Sequence, residues 1–503
     1  MLDEPSRNAS LGLMRTRSFW ITAFAAFSAL AVGGCSKRQP EAVDVVVIGA
    51  DQPQLSDPFE GPLSAPQQVA MESMAQGLVR FDSRGEIVPG LAERWNVSND
   101  GLSYIFRLGP GKWPTGREIR ASDVAKVLSR QLRSSSRNEL RDTMGAVEEV
   151  VAMTDRVIEI RLVAPRPHLL QLLSQPEFGI LRDRQGTGPF VADLEQADRD
   201  WQALTYHKSI VDGPDIRERV RIRSESAKQA VALFATGDVG LVLGGTFNDL
   251  PIARQAKLNR NALRFDPVAG LFGLKPLRTS GPLASVEARR LLSRSIDRQA
   301  LVATFDVPGL RPRDTLLQGG VEGSDAITES PAPQPDLADL RAALQSEARN
   351  LFDEDMPPVR VRLPEGPGAQ ILLQRLRIDW GNLGLEVEAA GPGDGADFAL
   401  IDRVAPTGSP AWFVRRFRCS ETAICLKDAD ALMDSARLAT VAAQRLAFLS
   451  EAARLLEEEV AFIPIAAPIR WSLVGNKLPG FTENIVGRHP LVGLGTAPSR
   501  EGN

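Results

Sequence analysis

Hydrophobic and polar positions alternate along this chain with two different periods. "VDVVVIGA" (43–50) is a short apolar run, of the length of a buried strand. "GLVRFDSRGEIVPGL" (77–91) holds two short apolar arms around a Ser-Arg-Gly turn and predicts a hairpin. "WNVSNDGLSYIFRL" (95–108) repeats the device around Asn-Asp-Gly, with Leu102, Tyr104, Phe106 and Leu108 on one face of the second arm. The period then lengthens. "ASDVAKVLSRQL" (121–132) predicts a helix with Ser122 as its cap and Val124, Val127, Leu128 and Leu132 on its buried side. "GTGPF" (186–190) marks a loop and "ERVRIR" (218–223) a strand. "SAKQAVALFATGDVGLVLGGT" (226–246) reads as a helix ending at Gly237, followed by a strand. "ASVEARRLLSRSIDRQALV" (284–302) predicts a helix, since Ala288, Leu292, Ile296 and Ala300 lie four apart. "ILLQRLRIDWGNLGLEVEAAG" (371–391) gives a stripe of Leu373, Leu376, Trp380 and Leu383, then Gly384, then a strand. The last long helix carries Ala442, Leu446, Leu449, Ala453, Leu456 and Val460, and Pro464 makes the apolar segment after it an edge strand or a crossing segment. "GGVEGSDAITESPAPQPD" (319–336) is a polar, Pro-rich surface loop. Hairpins early and strand–helix alternation later predict a mixed α/β architecture of several domains.

The N-terminal segment has a different character. Arg15 and Arg17 precede an almost wholly apolar or small stretch, Ser18–Val32, which ends in "VGGC". A basic start, an apolar centre and small residues at the end describe an export signal. Val32, Gly33, Gly34 and Cys35 resemble the lipobox of bacterial lipoproteins. That resemblance implies removal of residues 1–34 and a lipid on Cys35. An ordinary cleaved signal or an uncleaved anchor, with Cys35 incidental, is the other reading.

Composition narrows the function classes. The chain has 503 residues, 43% hydrophobic and 24% charged, with a formal net charge of −4. The length suits roughly three domains, and the near-neutral charge gives no reason to expect nucleic acid. Only three cysteines occur. In an exported protein Cys419 and Cys425 are expected to form a local disulfide; free thiols or half of a metal site are the alternatives. The three histidines, His168, His207 and His489, lie far from that pair in sequence and form no paired motif, so no metal, cofactor or catalytic group is expected.

From Gly77 to Leu132 the chain resembles the N-terminal signature of solute-binding proteins of the peptide/nickel class, the extracellular receptors of ABC importers. Pro89, Leu91, Ala92, Trp95, Asp100, Gly101, Tyr104, Phe106, Leu108, Trp113, Gly116, Asp123 and Val124 fall in register with it. "GTGPF", "TGDVGLV", "EARRLLSRSIDRQALV", "LRIDWGNLGLEVE" and "AARLLEEEVAFIPI" resemble later family segments. The resemblance implies a two-lobed periplasmic-binding-protein-like fold with three discontinuous domains. Lobe I is expected from 35–62, 186–269 and 468–503, a peripheral hairpin-rich domain from 63–185, and lobe II from 270–467. The function implied is capture of a peptide-like or other small solute between the lobes for an ABC permease in the inner membrane. The receptor would be a monomer on the periplasmic or cell-surface side, held through Cys35, and not an enzyme. A transport-independent lipoprotein of the same fold, acting as a sensor or chaperone, is the alternative.

One departure bears on the ligand. Many peptide-binding members carry an Asp-Tyr-Pro-Asp-Pro loop whose aspartate meets a peptide's amino group. Here Ser409-Pro410 takes the Asp-Pro place, and no carboxylate lies between Asp402 and Glu421. The expected contacts are therefore Ser409 as a hydrogen-bond donor, Trp412 as a stacking wall and Arg415 as counter-charge for a carboxylate-bearing solute. The Thr246 hydroxyl and Phe247 ring are expected on the far wall. The competing reading packs Trp412 on Phe413 and Phe417 in the core and leaves the arginines to solvent.

Overall fold

In the computed structural model the described residues are 42–193, 201–208, 216–322, 337–353, 355–391 and 393–495. Cys35, the apolar segment before it and positions 323–336 of the Pro-rich loop lie outside them. Among the described residues no helix is long and apolar enough to cross a membrane.

Three sheets organise the rest. The largest has seven strands in the order Phe190–Ala192, Gln202–Lys208, Ile216–Glu225, Val43–Ile48, Leu241–Thr246, Arg470–Val474 and Leu263–Phe265. Val43–Ile48 runs parallel to both neighbours, and Val45, Val46 and Val47 are fully buried, as expected of a strand covered on both faces. The second sheet orders Val387–Ala389, Val359–Arg362, Phe398–Val404, Gly270–Pro276 and Ile463–Ala466. Pro464 sits on its edge strand, where a missing N–H breaks no ladder; its carbonyl accepts from Arg298 Nε at 2.7 Å. The third sheet is an antiparallel set of four: Ala92–Val97, Ser103–Leu108, Val157–Leu162 and Val147–Thr154. Tyr104, Phe106 and Leu108 point into its core, and the helix Ala121–Gln131 covers them with Val124 and Leu128.

Local chemistry sets the helix ends. Ser226 accepts a hydrogen bond from the Gln229 amide and starts the helix Ala227–Thr236; Gly237, with φ of +85°, ends it in the left-handed region that favours glycine. Two expectations need correction. The helix at 121–131 begins one residue before Ser122, with Arg120 in the cap position, so Ser122 lies inside it. The single helix expected over 284–302 is two, Val286–Ser295 and Arg298–Phe305. The apolar period runs through, but Asp297 interrupts it. Its carboxylate accepts from the Ala300 amide as a cap, and its own amide donates to Asp379 Oδ2 at 2.9 Å.

Cys419 and Cys425 are joined by a disulfide that closes a loop between the helices Pro410–Arg415 and Lys427–Leu438. So short a loop stabilises by about 2–3 kcal/mol in the chain-entropy model. Replacing both cysteines by serine should lower the unfolding free energy by about that much in urea denaturation; no change would mean the bridge is energetically idle.

Candidate functional site

Two concave sites compete for attention. One, of about 950 Å³, is lined by Asp57, Arg117, Asp123, Lys126, Arg130 and Arg182 among others. Its charges are largely paired. Asp123 receives Arg117 at 2.7 Å and Arg182 at 2.9 Å, and Asp57 receives Arg130. The second cavity holds about 50 Å³, room for a few waters or one small head group. It lies between the hairpin-sheet part of the chain and the helices beside the second sheet, and its charges do not cancel.

The hairpin side contributes Arg166 and His168, from the turn between the strand Val157–Leu162 and the short helix Leu169–Leu173. Tyr104 holds that turn, its hydroxyl donating to the Arg166 carbonyl at 2.9 Å. The other side contributes Thr407 and Ser409, which follow the strand Phe398–Val404. It also contributes Arg415 and Arg437, each in the last turn of its helix, and Arg445 of the helix Ala442–Glu458. Glu322 is anchored by its own amide, which donates to the Gly408 carbonyl at 2.8 Å.

These groups bind across the gap. Arg166 donates to the Arg437 carbonyl, Arg415 to the Asp142 carbonyl and Arg445 to the Pro165 carbonyl at 3.3 Å. Arg445 also meets Glu322 at 2.8 Å, while His168 Nε2 lies 3.2 Å from the other Glu322 oxygen. The hydrogen bond with His168, followed by the charge of Arg445, holds the Glu322 carboxyl below its ordinary value despite burial. Burial and the neighbouring Arg445, Arg415 and Arg437 lower Arg166 to about 10. Just outside, Gln175 donates to the Pro406 carbonyl at 2.9 Å and Arg403 meets Glu139 at 3.2 Å.

Of the residues expected from sequence, Ser409 and Arg415 line this cavity. Trp412 lies behind it, 2% exposed, with Phe413 edge-on at 5.1 Å and the Arg416 guanidinium over its ring. Thr246 and Phe247 are elsewhere. The Thr246 hydroxyl donates to Asp249 at 2.9 Å and its carbonyl accepts from Trp471, while Phe247 is buried against Phe272 and Phe305. Arg166, His168, Glu322, Thr407, Arg437 and Arg445 are the residues sequence reasoning missed. The only signal was "RPHLL", a proline-bounded turn at His168, and a lone histidine there is more often structural.

Residues 86–391 match the model of the bacterial extracellular solute-binding proteins, family 5. The chain belongs to that family. A di/tripeptide-binding protein of Pseudomonas aeruginosa is 23% identical over 85% of this chain and 89% of its own length. The dipeptide-binding protein of Escherichia coli is 22% identical over 80% and 85%. The murein tripeptide-binding protein MppA of Escherichia coli superposes with a TM-score of 0.73 at 18% identity, covering 89% of this chain and 97% of that one. An OppA of Haemophilus influenzae, solved with the peptide RPPGFSPFR, also gives 0.73, at 15% identity over 90% and 98%. Likeness at such identity shows the fold: mixed α/β, as the sequence pattern implies, and two-lobed, as the resemblance implies. Family 5 members are binding proteins rather than enzymes.

A buried acidic pair, Glu177 and Glu72, has its own consequence. Glu177 is 2% exposed; one oxygen accepts from Gln68 at 3.2 Å, and the other has no hydrogen-bond partner among the described residues. Burial pushes the Glu177 carboxyl above its usual range, against the pull of Arg488, and burial raises Glu72 likewise. A carboxyl raised in the folded state contributes fully below its unfolded value, about 4.3, and loses that contribution as pH rises through the folded value. Glu177→Gln should therefore flatten the decline of stability between those two values. Identical pH profiles of variant and parent in urea denaturation would refute it.

Proposed function

We propose that this chain is the extracytoplasmic receptor of an ABC importer, closing two lobes on a peptide-like, carboxylate-bearing solute and presenting it to a permease complex in the inner membrane. Membership of family 5 supports the receptor role, and the names of the relatives support a peptide-like solute. The lobes would be drawn from the stretches expected in the sequence: 35–62, 186–269 and 468–503 for one, 270–467 for the other, and 63–185 as the peripheral domain. The protein would work as a monomer, tethered by a lipid on Cys35. Intact mass of membrane-extracted protein checks the tether: a chain beginning at an acylated Cys35 is expected, and an unmodified Cys35 inside a longer chain would refute it.

The observation that carries the ligand reading is the unneutralised basic cavity with Ser409 and Arg415 in its wall. In this reading Ser409 donates a hydrogen bond to the solute and Arg415 pairs with its carboxylate. Trp412 supports both from behind, as a positioning residue. Thr246 and Phe247 act at a distance, by fixing the end of the strand Leu241–Thr246 against the second sheet. Calorimetry with a panel of di- and tripeptides tests the reading. Ser409→Ala and Arg415→Ala should each weaken binding by about 1–3 kcal/mol. Unchanged affinity in both, with melting temperature intact, would place the solute elsewhere.

A further inference from the structure

Many arginines elsewhere among the described residues meet carboxylates, while Arg156 and Arg377 donate to backbone carbonyls. Asp44 receives Arg221, Asp379 receives Arg375, Asp402 receives Arg470 at 2.8 Å, and Asp123 receives two. Around the small cavity carboxylates are scarce. Four guanidiniums line it, of Arg166, Arg415, Arg437 and Arg445, with Glu322 as the single carboxylate in the lining. Only Arg445 has a close acidic partner, and it is itself buried, 5% exposed. Arg166 and Arg415 are spent on backbone carbonyls. Arg437 comes no nearer than 3.9 Å to Asp434, and its Nε is buried with no hydrogen-bond partner among the described residues. Each guanidinium carries five N–H donors, and the hydrogen bonds here use at most two apiece.

We infer that this cavity is a site for a multiply charged oxyanion, and that the receptor thereby selects solutes bearing two negative charges on one compact group, a dicarboxylate or a phosphate ester. This rests on the reading that the solute is held in this cleft. Four guanidiniums against one carboxylate leave a surplus of three positive charges around a volume of about 50 Å³. A zwitterionic peptide offers one carboxylate and cannot balance that surplus; a dianionic group comes closer and can be held bidentately by more than one guanidinium. Arg166 is lowered first by its burial and then by the same crowding of like charge. Thr407 and Ser409, also in the lining, supply hydroxyls that complete an oxyanion's shell.

The rival account is a clasp: Arg166 and Arg445 tie two parts of the chain together through carbonyls, and no ligand is involved. Arg437 separates the two. Its side chain is 42% exposed and makes none of the bonds that cross the gap; only its carbonyl does. A clasp is indifferent to Arg437→Gln, whereas an oxyanion site is not.

The test is calorimetry on the mature protein with inorganic phosphate and succinate as probes, acetate and chloride as controls at equal ionic strength. Phosphate and succinate should bind better than acetate. Arg437→Gln should weaken both by about 10- to 100-fold, the effect of removing one charge-assisted bond, with its melting temperature in chloride unchanged. Glu322→Gln, which removes the competing carboxylate, should tighten them. Phosphate should also compete with the solute that copurifies with the protein. Phosphate binding that leaves that solute in place would overturn the selectivity inferred here. Dianions that bind no better than chloride would overturn the site itself, as would Arg437→Gln binding them like the parent. A solute bound tightly but insensitive to both phosphate and Arg437→Gln would overturn this inference and leave the receptor reading standing. Phosphate bound through Arg437, with no peptide-like solute ever found, would do the reverse.

Discussion

Trp412→Ala is expected to lower the unfolding free energy by about 3–5 kcal/mol, the cost of emptying a large aromatic site in a packed core. The ring is 2% exposed in a cluster with Leu271, Leu316, Leu317, Phe413, Phe417 and Phe462. Its indole N–H is buried with no hydrogen-bond partner among the described residues, so the ring contributes mainly apolar surface. Trp412→Phe should accordingly cost far less, since it keeps a ring in place and removes an unsatisfied donor. Denaturant unfolding of the two variants decides. Equal, small losses in both would show a ring free to meet a ligand rather than one held in the core.

Gly186→Ala should be nearly as damaging, by about 3 kcal/mol, the upper end of the range for overpacking. A methyl group there would sit 1.8 Å from the Met74 carbonyl oxygen and 2.6 Å from its carbon. Both are backbone atoms at the end of the helix Ala65–Met74 and cannot swing aside. The next residues show why the approach is so close. The Gly188 amide donates to the Met74 carbonyl at 2.8 Å, and the Thr187 hydroxyl bonds the Ile180 carbonyl at 3.2 Å. "GTGPF" is thus a seam that pins the hairpin-rich part of the chain to the large sheet. Thermal unfolding of Gly186→Ala measures the effect; a melting temperature equal to the parent's would mean the seam yields freely.

Strands and helices were legible because their signals are local. The valine run at 43–48, the alternation at 102–108 and the glycine stop at 237 each depend on residues within a few positions. The break at Asp297 was not legible, since the apolar period continues through it and only a side chain folding back as a cap interrupts the helix. The cavity was hidden for a different reason. Pro165 and Arg445, which meet across it, are 280 positions apart, and arginines in polar stretches read as solvated. Arg415 was picked out beside Arg416 and Arg418, yet the three have different employment. Arg416 lies on the Trp412 ring, Arg418 pairs with Asp434 at 2.9 Å, and only Arg415 lines the cavity. Arg415 ends the helix, Arg416 caps it and Arg418 lies beyond it, so the three point in different directions, which spacing alone does not rank.

The most direct measurement is mass spectrometry of whatever the purified protein releases on mild denaturation. A receptor that closes on an oxyanion through four guanidiniums should release a small solute, stoichiometric with protein, that carries more carboxylate or phosphate than amine. Its rebinding should weaken with rising salt, as expected for a charge-paired ligand. Release of a neutral or cationic solute that rebinds tightly at high salt would contradict it.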